Sequence, residues 1–418
     1  MADSAQLRIA WLVHQYLPDQ VGGTELYTHG LARRACDEGH DALVIAYREH
    51  PDADPSAWRT RSRSHEGVAV AEVEHNLDLA PSVARYEYDN PVVGEQVRRA
   101  LAAHRPDVVH CTHAMKLSAA ALEACTQLDV PFVVTLCDYW FVCPRNTLLT
   151  WDGQLCEGPF DHHACWACSH NLHGTTHTEE NLEAIRARPA HLRAALERAD
   201  RVIALSDFQR RMIAGAGVDA DRIEVIPHGL EEEGLDLPPR DDTGGPVRIL
   251  FIGSVAVHKG LHVLLDALRA RPELELELCV YGQLKQGNPY VEQIVAEAAT
   301  DQRVRLAGTF PPSEMGRILA DADALVLPAL WYENDPLVVK AALHVGLPAI
   351  VSRIGSLAEQ VRDGEDGWTV PPGDVGAWAD ALERASELRG RPRTPRRQPN
   401  MDDHYRRLAG IYAEAASK

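Results

Sequence analysis

No stretch of about 18 apolar residues occurs in this 418-residue chain, which leaves nothing able to span a bilayer as a helix. The first residues, MADSAQLRIAWLV, carry a single Arg and a very short apolar run that is already strand-like, so no secretory signal is expected and a cytoplasmic location follows. Positive charge is in short supply: 42 Lys and Arg face 61 Asp and Glu, a formal net charge of −19. That balance disfavours nucleic acid or anionic lipid as a general partner, and any phosphate must be held by a local site. Cysteine is thin outside one segment: of nine, Cys137, Cys143, Cys156, Cys165 and Cys168 fall together and the rest are scattered. In a cytosolic chain such a cluster points to metal or redox chemistry before disulfides.

The remaining composition, 45% hydrophobic and 25% charged, is that of an ordinary soluble protein. The length exceeds what one core organises and predicts two domains of roughly 200 residues. Strand-like runs alternate with helical periodicity: Arg8 to Val13, a helix beginning after Gly22 and Gly23, Ala42 to Ala46, Val108 to His110, PFVVTL and Val202 to Leu205. Two glycines at a strand-to-helix handover let a backbone approach a ligand closely. Residues 231–246, EEEGLDLPPRDDTGGP, have the composition of a linker, and the pattern restarts at VRILFIG. The expectation is an α/β protein with two doubly wound parallel sheets facing a central cleft: residues 1–230, a linker 231–246, and residues 247–390. Residues 391–400 are basic and Pro-rich, and the helix after them, with Tyr405, Leu408, Ile411 and Tyr412 on one face, is expected to cross back to the first domain.

The chain is organised around residues 324–352, ALVLPALWYENDPLVVKAALHVGLPAIVS, read as strand, loop, helix and strand. Asp335 followed by Pro336 reads as an N-cap and first turn, and Gly346 ends the helix. A helix N-terminus after a strand suits a phosphate, and Glu333 in the same loop suits something with hydroxyls or developing positive charge. Together they suggest a phosphorylated sugar. The plainer reading is an ordinary crossover with a solvated Glu333.

The segments HQYLPDQVGGTE, TLCDYW, VIALSDFQRRMI, IEVIPHG, FIGSVAVHKG and WYENDPLVVKAALHVGLPAIVS, in that order, resemble glycosyltransferase family 4 over nearly the whole chain. The resemblance implies two Rossmann-like domains of the GT-B type, a nucleoside diphosphate sugar as donor, and transfer with retention of configuration to a small-molecule, sugar-containing or lipid-linked acceptor. It implies no metal at the reacting centre. Carried across residue by residue, Gly22 and Gly23 approach the diphosphate, and Lys259 neutralises charge on the leaving group. Glu333 faces the donor sugar and Asp138 joins the catalytic residues. Asn334, Leu337 and Val338 lend N–H groups, and Ser254, Gly282, Gly308 and Thr309 line the donor site. A solvated Lys259 is the alternative.

Three positions depart from the family's pattern. Ala341 stands eight positions after Glu333, where the family places a ribose-binding Glu; Cys137 replaces the His before Asp138; Ser254 replaces an Arg. Lys340 is adjacent to Ala341 but about 100 degrees round the helix, so it is no like-for-like substitute. These substitutions keep two other readings open, a nucleotide-sugar hydrolase or epimerase and a non-catalytic sugar-nucleotide binder.

After Asp138 the chain runs YWFVCPRNTLLTWDGQLCEGPFDHHACWACSH. Cys143, twelve residues, Cys156, eight, Cys165, two, Cys168 is a plausible four-thiolate site, because a Cys-x2-Cys turn offers both sulfurs to one ion. Low apolar content predicts that a bound metal supplies the stability of this insert, spanning about 139–178, with zinc first and an iron–sulfur cluster second. Cys137, His162 and His163 are possible substitute ligands, and free thiols are the alternative. The insert follows the strand ending at Asp138 and is expected to shape acceptor binding, apart from the chemical step.

Overall fold

A computed structural model describes residues 6–50, 59–158, 162–174, 176, 178–238 and 245–418, with side chains from 165 onward in the cysteine-bearing helix His162–His173. The chain divides into two compact units, residues 1–226 with 403–418 and residues 227–402. The first unit thus stops short of the expected boundary at 230. The linker residues 239–244 lie outside the described residues.

In the first unit the strands are β1 Arg8–Val13, β2 Asp41–Glu49, β3 Arg59–His65, β4 Val68–His75, β5 Val108–Cys111, β6 Phe132–Thr135, β7 Arg201–Ala204 and β8 Ile223–Val225. They lie in the order β3-β4-β2-β1-β5-β6-β7-β8, parallel except for the β3–β4 hairpin. The central strands are buried end to end, and β1 reads Ile9, Ala10, Trp11, Leu12, Val13 at 1% exposure or less. Burial on both faces explains why they read as apolar runs without alternation. Strand order reverses between β1 and β5, and in open α/β sheets that reversal is where a ligand finds room at the carboxyl ends.

From Asp403 onward the helix Met401–Ala416 belongs to this unit. Tyr405, Leu408, Ile411 and Tyr412 are all buried. The Tyr412 hydroxyl meets His110 Nδ1 at 2.7 Å, its ring packs edge-on against Trp11, and His404 bonds the Tyr27 hydroxyl at 2.8 Å. Residues 391–399, although without regular structure, are tied to the second unit. Arg393 donates to the carbonyls of Leu319, Ala320 and Ala322, and Arg396 pairs with Asp366.

In the second unit the strands are β9 Val247–Ile252, β10 Leu276–Tyr281, β11 Val304–Gly308, β12 Ala324–Leu327, β13 Ala349–Ser352 and β14 Gly367–Val370. All are parallel, in the order β11-β10-β9-β12-β13-β14. By rank in the chain this is 3-2-1-4-5-6, the dinucleotide-binding arrangement, with its switch point between β9 and β12. Among the described residues no helix is long and apolar enough to cross a membrane.

Candidate functional site

Both strands at the switch point of the second sheet end in loops that bear charge. After β9 a short 3-10 turn, Val257–Lys259, leads to Gly260, whose φ of +73° opens the helix Leu261–Ala270. A Cβ at Gly260 would lie 1.9 Å from the carbonyl oxygen of Pro328, the residue just past β12. Only glycine therefore lets the two loops touch backbone to backbone, and the Leu330 N–H donates to the His258 carbonyl at 2.7 Å across the same seam.

That seam sets Lys259 against Glu333. Lys259 Nζ stands 2.5 Å from Glu333 Oε1, which also accepts from Trp331 Nε1 at 2.7 Å. The ammonium lies 4.8 Å from the Trp331 ring centroid, and Ser356 Oγ donates to the Glu333 carbonyl at 2.6 Å. Glu333 is 6% exposed, so the ion pair is largely out of water and holds both head groups as one unit. A solvated Lys259 and a solvated Glu333 are both overturned. Beside them His258, edge-on to Trp331, is lowered to about 4 by burial and then by Lys259, so it is neutral near pH 7.

Asp335 does not cap the helix, which starts at Leu337 with Pro336 as its N-cap and no side-chain cap bond. Its carboxylate turns inward instead, accepting from Lys340 Nζ, from the His228 N–H at 2.7 Å and from Gln360 Nε2 at 2.5 Å. Lys340 also donates to the His228 carbonyl at 2.7 Å. Burial pushes the Asp335 carboxyl up and the Lys340 amine down, each against the pull of the other's charge. This buried cluster anchors the loop carrying Glu333 from behind. Asn334 is buried; Leu337 and Val338 supply the first amides of the helix, which have no acceptor within it.

The other expected donor residues form a row at the carboxyl ends of neighbouring strands. Gly253 N–H donates to Tyr281 and Gly282 N–H to Gly308, and a Cβ at Gly282 would come within 2.2 Å of the Gly253 carbonyl oxygen. Ser254 next to them is exposed. A cavity of about 260 Å³ lined by Arg248, Glu277, Cys279, Tyr281 and Arg305 shares neither Lys259 nor Glu333 and is a separate feature.

In the first unit the loops after β1 and β5 meet at the other switch point. Gly22 is the N-cap of the helix Gly23–Asp37, and Glu25 in its first turn is 2% exposed. A Cβ at Gly22 would lie 2.5 Å from Glu25 Oε2, whereas one at Gly23 would meet nothing within 4 Å. A side chain at 22 would have to push the Glu25 carboxylate aside, whereas there is open space at 23. His14 Nε2 is 3.2 Å from Glu25 Oε1 and its ring centroid 4.2 Å from that of His113. Burial first, then His113 and Lys116, hold His14 well below its ordinary value. His113 Nε2 lies 2.5 Å from Asp138 Oδ2, while Asp138 Oδ1 accepts the Trp140 N–H at 2.8 Å. Asp138, itself partly exposed, therefore joins a polar group with the buried His14, Glu25 and His113. The sequence reading missed those three, although all follow the carboxyl ends of apolar strands, where a parallel sheet exposes its chemistry.

The cysteine insert packs differently from expectation. Tyr139, Trp140, Phe141, Val142 and Leu148 are buried, so its first half has an apolar core after all. A buried ion pair ties it down: Arg188 donates to Glu87 at 2.9 Å and to the Trp140 carbonyl at 2.7 Å, and Trp140 Nε1 donates to Glu87. The Cys165 thiol is pushed up to about 12, chiefly by burial, with Cys143, Cys168 and Cys156 adding to it. The four sulfurs share a neighbourhood, yet among the described residues none belongs to a trio of ligand atoms within 4.8 Å of one another. Cys137, pushed up by burial and then by Asp138, bonds Thr24 and sits with the glycine loop. The side chains of His162 and His163 lie outside the described residues.

Comparison with known proteins follows the division into units. The sequence pattern described as Glycosyltransferase Family 4 matches residues 21–233, and that described as Glycosyl transferases group 1 matches residues 246–387. Glycogen synthase of Mycobacterium tuberculosis is 25% identical over 429 aligned positions, covering 98% of this chain and 94% of that protein. The amylovoran biosynthesis glycosyltransferase AmsK of Erwinia amylovora is 31% identical over 189, covering 43% and 46%. Apart from glycogen synthase, the chain spans about half the length of the curated relatives it matches. Among solved structures, sucrose-phosphate synthase of Thermosynechococcus elongatus superposes with a TM-score of 0.67 at 17% identity, covering 99% of this chain and all of that one. Anabaena Alr3699/HepE in complex with UDP and glucose gives 0.63 at 18%, covering 99% of each. At such identities the likeness speaks for the fold.

Proposed function

Since the chain belongs to glycosyltransferase family 4 and has the GT-B fold of glycosyltransferases, we propose that it transfers a sugar, with retention of configuration, from a nucleoside diphosphate sugar to a sugar-containing or lipid-linked acceptor. The observation that carries this is the Lys259–Glu333 pair, 2.5 Å apart at the switch point of the second sheet. Lys259 would take up the negative charge that grows on the departing diphosphate, helped by the first amides of the helix Leu337–His344. Glu333, already engaged through Oε1, would use Oε2 on the donor sugar's hydroxyls.

In this scheme the acceptor hydroxyl forms its bond to the anomeric carbon on the face from which the diphosphate leaves. The leaving phosphate oxygen takes the hydroxyl proton, and no metal is needed at that centre. By the family resemblance Gly22 and Gly23 of the first unit are assigned to the donor diphosphate and Asp138 to the catalytic residues, with Gly282, Gly308 and Ser254 beside the nucleotide. A nucleotide sugar as donor is in keeping with Alr3699/HepE, whose structure was solved in complex with UDP-glucose. A structural zinc or iron–sulfur cluster is assigned to Cys143, Cys156, Cys165 and Cys168, and the insert to acceptor binding. Elemental analysis tests the former: at least one equivalent is expected, and less than about half an equivalent of zinc and of iron removes it.

Ala341, Ser254 and Cys137 favour a second reading, donor binding without transfer. A thermal-shift screen of nucleoside diphosphates and their sugars identifies the donor, since a ligand at 100 times its dissociation constant stabilises by about 2.7 kcal/mol. With that donor, Glu333→Ala is expected to lower turnover at least about tenfold while donor binding persists. Unchanged turnover removes the role given to Glu333. Free sugar released without acceptor indicates a hydrolase, and bound donor with no product from any acceptor extract indicates a binder.

A further inference from the structure

The β3–β4 hairpin turns through Glu66 and Gly67, with φ of +47° and +86°. Two-residue turns of this kind favour Asn, Asp or Gly at the first position, and holding Glu there costs backbone energy. What the placement achieves is a carboxylate aimed at the neighbouring helix: Glu66 Oε2 stands 3.0 Å from His29 Nε2. His65, the last residue of β3, brings its ring centroid to 5.1 Å from that of His29. One ligand atom from each of His29, His65 and Glu66 lies within 4.8 Å of the other two, which is the case for no other trio of His, Cys, Asp or Glu among the described residues.

We propose that His29, His65 and Glu66 bind one divalent transition-metal ion of the kind that prefers imidazole, such as zinc. Two imidazoles and a carboxylate are a recurrent ligand set for such ions, with bonds near 2.0–2.2 Å and a remaining position for water. The surroundings are arranged for it. His29 Nδ1 is 2.7 Å from the Tyr16 hydroxyl, so with Nε2 on the metal, Nδ1 carries the proton and donates to that oxygen, fixing ring and tautomer together. Tyr16 is pushed up by burial and stays a neutral phenol able to accept. Arg33 donates to the Glu66 backbone carbonyl and leaves the carboxylate to the site. Glu66 is exposed and its carboxylate already reaches His29, so closing the trio asks little of the fold. Bound metal would clip the hairpin turn to the helix Gly23–Asp37.

The test uses the full chain, stripped with a chelator and titrated with cobalt(II). Expected, beside any cobalt taken up on the cysteines, is uptake of one ion whose weak visible bands carry no sulfur-to-cobalt charge transfer, weakened at least about tenfold in both His65→Asn and Glu66→Gln. Circular dichroism of each variant checks that the fold is kept. Uptake that is absent, that is unchanged in both variants, or that comes only with sulfur-to-cobalt charge transfer overturns the site; the last would put the ion on the cysteines.

Discussion

At Gly260 one hydrogen atom decides whether two loops can meet. Its backbone is left-handed and the space where a methyl group would stand is taken by a carbonyl oxygen of Pro328, which cannot move without dragging the end of β12. Gly260→Ala is expected to cost at least about 2 kcal/mol in urea unfolding. It should also impair catalysis beyond that loss, since Lys259 precedes Gly260 and Glu333 lies in the loop displaced. Sequence reading found Lys259 and Glu333, because a cation opening one helix and an acid before another are local signals. It did not find why they touch. That rests on a backbone contact between residues far apart in the chain, which no window of neighbours contains.

Among elements, the helix Leu337–His344 shows how a local rule was overridden. Asp335-Pro336 has the form of a cap, yet Asp335 is drawn into the interior by Lys340, Gln360 and the His228 N–H, three partners against one amide. Lys340→Met leaves a buried carboxylate with no cation and is expected to cost about 3–5 kcal/mol near neutral pH. Asp335 is already raised by burial, and without Lys340 it rises further. A raised acid contributes stability below its folded pKa and loses it as pH rises through that value. The deficit should therefore shrink as pH falls toward the ordinary carboxyl range, measured by denaturant unfolding of variant and parent at several pH values. The β3–β4 hairpin escaped the sequence reading for another reason. RTRSRSH has no apolar residue and is mostly exposed, so an edge strand built this way leaves no hydrophobic pattern to follow.

Over the whole molecule, alternating strands and helices were enough to read two doubly wound α/β units, because parallel sheets covered on both faces force apolar runs. The positions of helices around Pro91–His104, and the polar group of His14, Glu25 and His113, depended on strand order, which spacing does not encode. Burial lowers His14, His75, His104, His110 and His258, to about 3 for His110 and about 4 for His258. The unfolded chain, with histidines near 6.5, then binds more protons than the folded one. Stability from these groups is complete above that value and drains away as pH falls toward their folded values. Calorimetry should record a melting temperature that drops steadily between about pH 6.5 and about pH 4.

The helix Met401–Ala416 also sets an order of events during synthesis. Trp11 and His110 are made early, yet Tyr412, which completes their surroundings, emerges only after every residue of the second unit. On the ribosome the later-made half can finish folding first, while the earlier half waits with its seam beside Trp11 and His110 unfilled until the last residues emerge.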